Sequence, residues 1–189
     1  MKKRYFLYSI LLLIMLSGCI PKTHTLHLYN LNVESSHKRV SKSNKTLKVN
    51  YPTALNALSG SRIYYNDNSK IGYYLYSRWS SSLNKMLYSN IITNLQSNGK
   101  YRYVVGYNTI AKADYELEVE IDSFNHMIIG DQSYANIKLK VQLIESSSGK
   151  VVKQRVFRYK IPLEAKNAAA FAKGARKAVE EFINDLLTF

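Results

Sequence analysis

The stretch ADYELEVEIDSF, Ala113 to Phe124, decides the fold class. Tyr115, Leu117, Val119 and Ile121 alternate in it with Glu116, Glu118, Glu120 and Asp122. Successive side chains of a strand point to opposite faces, so this period of two describes a strand with one apolar and one acidic face. The run YANIKLKVQLIES, Tyr134 to Ser146, repeats the pattern. Ile137, Leu139, Val141 and Leu143 form its apolar side, and Lys138, Lys140 and Gln142 its polar side. SSGK (Ser147–Lys150) is a turn signal, after which Val151 to Ile161 returns with Lys153, Arg155, Arg158 and Lys160. Four carboxylates in a row could serve metal or acid–base chemistry. Neighbouring strands rich in lysine and arginine give a simpler account: cross-strand ion pairs, worth roughly 0.2–1 kcal/mol each, that fix register.

Outward from this meander, two helices are predicted. Ser80 to Asn98 places Leu83, Met86, Leu87, Ile91 and Leu95 on one face, offers Ser80, Ser81 or Ser82 as N-cap, and ends at Gly99. Asn90 and Asn94 sit near that apolar face. Asn167 to Leu187 carries Phe171, Ala172, Ala175, Val179, Phe182, Ile183 and Leu186 as a continuous stripe, with Asn167 as cap. Further strands are expected at Thr46–Pro52 and Tyr101–Gly106, and as a hairpin of Ser61–Asn66 with Ile71–Ser77. Strands and helices in this order predict an α+β fold: an antiparallel or mixed sheet with both amphipathic helices on one face.

The N-terminus is of a different kind. Lys2, Lys3 and Arg4 precede an apolar run from Tyr5 to Leu16, then Ser17 and Gly18, then Cys19, the sole cysteine. A charged start, a short apolar core and a small-residue end describe a secretory signal peptide at residues 1–18. The run falls short of the roughly 20 apolar residues a membrane span needs. A single cysteine also rules out a disulfide within the chain. Residues 19–45 read as a polar tether with one short strand near Leu26–Leu31, and residues 46–189 as a single domain. His24, His27 and His37 lie in the tether without acidic or cysteine partners at metal-site spacing.

Chemistry-bearing motifs are missing from the sequence: no glycine-rich phosphate loop, no CxxC, no HExxH and no GxSxG. His126 stands alone after the acidic strand. The formal net charge is +14, of which Lys2, Lys3 and Arg4 supply three. Such a surface suits anionic lipid, lipopolysaccharide, peptidoglycan or an acidic partner, and a compositional bias toward Lys, Asn, Tyr and Ile explains it equally well. Nucleic acid does not fit a chain that carries a secretory signal. The most distinctive internal segment is YYLYSRWSSSLNKML, Tyr73 to Leu87. Trp79 in it reads most simply as a core anchor; a functional reading makes Tyr74, Arg78 and Trp79 a partner surface.

Two resemblances follow from these residues. Leu16-Ser17-Gly18-Cys19 resembles a bacterial lipobox. That resemblance implies a covalent diacylglyceryl and N-acyl lipid on Cys19 and no other cofactor. The Arg78-Trp79 step into a helix, Gly149-Lys150-Val151-Val152, Arg155-Val156-Phe157, Pro162 and Ala168-Ala169-Ala170 recur together in an order that resembles the auxiliary lipoprotein component of ABC-type transport systems, the group of paraquat-inducible protein C. The resemblance implies an α+β fold and a non-enzymatic role. It also implies an MCE-domain protein and an ABC permease/ATPase complex as partners, and phospholipid or another hydrophobic cargo. With Ile20 rather than aspartate after Cys19, it implies attachment to the outer membrane, facing the periplasm. A lipid-binding carrier, and a structural lipoprotein holding peptidoglycan or lipopolysaccharide, are the alternatives; homo-oligomers are compatible with each.

Overall fold

The structure, a computed structural model, describes residues 24–33, 42–55 and 58–189. Cys19, the lipobox residues Leu16, Ser17 and Gly18, and His37 lie outside these residues. The strands are β1 (His27–Tyr29), β2 (Ser43–Val49), β3 (Thr53–Ala54), β4 (Arg62–Asp67), β5 (Lys70–Trp79), β6 (Tyr101–Gly106), β7 (Tyr115–Ile129), β8 (Gln132–Glu145) and β9 (Lys150–Pro162). The helices are α1 (Leu83–Asn98) and α2 (Ala168–Thr188). All nine strands of the described residues join one mixed sheet, and the chain is α+β as its periodicities predict.

β7 organises that sheet. Along one edge it pairs antiparallel with β8, which pairs antiparallel with β9. Along the other edge three strands run parallel to it in succession: β2 against Leu117, β3 against Glu120 and Ile121, and β4 against His126 to Ile128. β6 continues the sheet from β2, and β5 and then β1 continue it from β4. The β4–β5 hairpin turns through Asn68 and Ser69, both at positive φ (45° and 78°), the geometry whose twist matches paired strands.

A bulge sits in the middle of β7. Register shifts between Ile121 and Ser123, leaving Asp122 as an extra residue opposite β8. One inserted residue inverts the alternation, so Leu117, Val119 and Ile121 face the same side as Phe124 and His126. Both helices cover that side. Phe171 of α2 lies 5.8 Å from Trp79 and 6.2 Å from Phe124, ring centre to ring centre, and Phe182 packs edge-on against Phe157 at 5.4 Å. Asn167 caps α2 by accepting from the Ala170 N–H at 2.9 Å, and Gly99 ends α1 at φ 72°, a left-handed position that glycine takes without a Cβ clash.

The charge ladder on the opposite face is partly as expected. Lys138 meets Asp122 at 2.9 Å and Lys140 meets Glu120 at 3.4 Å, while Glu116 accepts from the Asn50 amide instead. The β9 cations divide between the two faces, contrary to a single charged stripe. The pairing of Lys153 with Leu143 and of Arg155 with Val141 puts both on the helix side. There they close the open end of the core: Arg155 lies over Phe157, and Lys153 lies over Phe189 and donates to its carbonyl.

The folded unit also starts earlier than a boundary at residue 46. β1 is part of the sheet and Leu31 is fully buried. Asn90 and Asn94, anomalous on an apolar helix face, hold this segment in place. Asn90 Oδ1 accepts from the Val33 N–H at 2.9 Å, and Asn94 Nδ2 donates to the Val33 carbonyl at 3.3 Å. Their amides supply the hydrogen bonds that a strand neighbour would otherwise give this irregular backbone. Replacing Asn90 with alanine strands the Val33 N–H, and urea denaturation is expected to show a loss of about 1–3 kcal/mol.

Candidate functional site

The corner from β5 into α1 brings together the residues singled out in the sequence, but points them in three directions. Trp79 is 2% exposed and packs edge-on against Phe124 at 5.8 Å; it is a core residue rather than a contact surface. Tyr74 is half-buried and directed toward β7. Arg78 lies on the opposite face of the sheet, where its guanidinium and that of Arg62 both cover the ring of Tyr73, at 5.5 and 4.7 Å from its centre.

Arg78 has a structural task as well. Between Arg62 and Tyr64 the β4–β5 register is broken: Arg62 pairs with Arg78 but Tyr64 with Tyr73, so Tyr74 to Ser77 form a longer arc than their partners. Arg78 Nη1 donates to the carbonyls of Tyr74 and Ser77 and holds that arc closed. Leu75 and Tyr76 stand out from it, and Leu75 is 63% exposed.

Beneath the arc lies His126. It sits within β7 rather than after a strand end, and it is fully buried. Its ring stacks on Phe171 at 5.8 Å with an interplanar angle of 9°, and its Nδ1 lies 2.6 Å from the Tyr74 hydroxyl. Nε2 has no hydrogen-bond partner. The two side chains share one hydrogen bond, whose donor is set by the imidazole tautomer. Burial holds the His126 pKa below its ordinary value and pushes Tyr74 up to about 12, so both stay neutral. Among the described residues no serine, cysteine or carboxylate bonds to the pair. Among the described residues no group of three His, Cys, Asp or Glu side chains could hold a metal ion.

The outer face of the sheet, away from the helices, has two halves. Beside the N-terminal half of β7 it carries the Glu/Lys ladder. Beside the C-terminal half, β1 and β5 expose Leu26, Leu28, Ile71, Tyr73, Leu75 and Tyr76, with Leu28 62% and Ile71 78% exposed. The register places Leu28 next to Arg78, and His24 stacks on Tyr76 at 4.1 Å. No signal of period marked this patch, because exposed apolar residues on a strand read as buried ones. No helix among the described residues is long and apolar enough to cross a membrane.

This architecture, a mixed sheet backed by two helices with an apolar outer edge next to the N-terminus, defines the class of protein. Solved structures share the fold. The protein XCC0632 from Xanthomonas campestris, of family-model DUF330, superposes with a TM-score of 0.78 at 23% identity, over 85% of this chain and 91% of that one. A putative neuraminyllactose-binding hemagglutinin homologue from Helicobacter pylori gives 0.54 at 12% identity, over 84% and 92%. The hypothetical protein CT253 from Chlamydia trachomatis gives 0.53 at 7%, over 78% and 98%. No curated protein matches the chain. The family model for the ABC-type transport auxiliary lipoprotein component matches residues 29–186. The chain therefore belongs to that family, which ties it to ABC-type transport and to the lipoproteins of the cell envelope.

The His126 environment makes a specific pH dependence expected. In the unfolded chain the imidazole gains a proton below pH 6.5, whereas in the fold it resists protonation because the charged form is buried. The unfolded state thus binds more protons as pH falls below 6.5, and stability drops with it. The melting temperature is expected to be level above that pH and to decline below it. His126→Phe, which keeps the stack on Phe171, should flatten the upper part of this decline.

Proposed function

We propose that the chain is a non-enzymatic auxiliary subunit of an ABC/MCE-type transport system, anchored through a lipidated Cys19 and facing the periplasm, in the outer membrane. It stands beside an MCE-domain protein and the ABC permease/ATPase complex and assists the passage of phospholipid or other hydrophobic cargo. The observation that carries this reading is the family match across residues 29–186, continuous through the β5–α1 corner and α2. The lipobox-like Leu16-Ser17-Gly18-Cys19 supports the anchor.

The packing of the core favours an adaptor over a carrier. The space between sheet and helices is filled by Phe124, Phe171, Phe182 and Trp79. The grooves are surface features with charged rims. One of about 390 Å³ lies between Leu163 and α2, beside Lys173 and Lys177, and one of about 440 Å³ lies beside Lys42 and Arg102. Both are open to solvent, and neither encloses a cavity that would bury an acyl chain.

Chemical crosslinking of the tagged, lipidated protein in membranes, followed by affinity capture and mass spectrometry, tests the reading. Recovery of an MCE-domain protein or an ABC permease is expected, and Cys19→Ala should shift the protein out of the membrane fraction. Recovery of cell-wall fragments alone, with the membrane fraction unchanged by Cys19→Ala, would overturn it.

A further inference from the structure

We infer that the apolar half of the outer face, on β1 and β5, is the surface by which the folded domain lies against an anionic phospholipid bilayer. The inference rests on the lipid anchor proposed at Cys19 and adds the orientation of the domain on it.

Chain length is the first argument. Seven residues lead from Cys19 to Leu26, and an extended chain of that length reaches at most about 25 Å. β7, with 15 residues at roughly 3.3 Å each, is about 50 Å long. The anchor therefore cannot hold β1 farther from the bilayer than about half the long dimension of the sheet. Leu28 lies on the strand that the tether enters and Leu26 directly before it, and the neighbouring strand bears Ile71, Tyr73, Leu75 and Tyr76.

Composition is the second argument. Contiguous exposed apolar side chains are uncommon on a surface that meets only water, and leucine with tyrosine is the mixture that partitions to the headgroup level of a bilayer. β1, β4 and β5 together carry Arg62, Lys70 and Arg78 against one carboxylate, Asp67. Cations beside an apolar patch add attraction to anionic headgroups. The other half of the same face carries a ladder of ion pairs, Lys138 with Asp122 and Lys140 with Glu120, in place of an apolar patch.

The depth of docking follows from the backbone. β1 pairs with β5 on one side, and among the described residues its other edge is an edge of the sheet. Unpaired backbone N–H and C=O groups are not tolerated in hydrocarbon, so this edge stops at the headgroups and only side chains reach below. Arg62 and Arg78, stretched over the Tyr73 ring, are placed to meet phosphates while their stems stay on apolar surface.

The test uses the sole native cysteine. Once Cys19 is acylated, an introduced cysteine is the single free thiol and labels selectively. Lipidated Leu28→Cys, Leu75→Cys and Glu118→Cys proteins, each carrying a small fluorophore, are reconstituted in phosphatidylethanolamine/phosphatidylglycerol vesicles. Doxyl-labelled phospholipid then serves as quencher, and intact mass reports the lipid on Cys19. Strong quenching at positions 28 and 75, with little at 118, is expected. With the lipid confirmed, equal or absent quenching at the three positions would overturn the orientation and leave the anchor standing. Shielding of positions 28 and 75 from water without lipid quenching would also overturn it, assigning the face to a second copy or a protein partner. An unmodified Cys19 would overturn the anchor, and the orientation with it.

Discussion

The rest of the structure depends on one extra residue in β7. A 15-residue strand that keeps strict alternation twists steadily and keeps one set of partners. Asp122 interrupts it at the place where β3 ends its pairing, at Ile121, and before β4 begins, at His126. Bulges bend a strand and increase its local twist. Here the bend lets two different groups of strands, β2/β6 and β4/β5/β1, share one edge of β7 without competing for the same hydrogen bonds. The same residue sets side-chain phase. Without it Phe124 and His126 would face outward, and the cluster of Trp79, Phe124 and Phe171 would lose its centre.

That dependence also marks what could be read in the sequence. The meander and both helices are legible because each is half-buried: alternating Leu117, Val119 and Ile121, or the Phe171–Leu186 stripe, report a single apolar side. The pattern fails where a residue's partner is distant. Asn90 and Asn94 look like defects of a helix until Val33, 57 residues from Asn90, is seen to need both of their amide functions. His126 hid the continuation of β7. After the phase change it is a polar residue facing inward, while Met127 and Ile129, facing the apolar half of the outer surface, are the wrong polarity for an exposed position. Both exceptions have physical reasons, and neither reason lies in the local sequence.

The β5–α1 corner gives the same lesson for the candidate site. Tyr74, Arg78 and Trp79 are close in sequence and share no surface. Trp79 belongs to the core, Tyr74 satisfies a buried imidazole, and Arg78 closes the backbone arc that pushes Leu75 and Tyr76 outward. The corner's distinctiveness is thus a sum of separate structural needs, and the exposed residues it produces are the ones that composition alone passes over. The family match covers the corner together with the rest of residues 29–186.

Topology links the start of the described domain to the apolar face. β1 is only three residues long and would contribute little to the sheet on its own. Its place beside β5 is fixed by the backbone pairing of His27 to Tyr29 with Ser77 to Trp79, and by the Ser80 N–H donating to the Tyr29 carbonyl. The strand therefore docks where β5 turns into α1, at the end of the hairpin whose outer side is apolar. Had β1 paired instead with β6 or β9, the tether would enter beside Arg102 and Tyr103, or beside the Lys150–Lys153 edge, and the exposed leucines of β5 would have no connection to it. Three backbone pairs thus decide which part of the sheet lies nearest Leu26 and the start of the described chain.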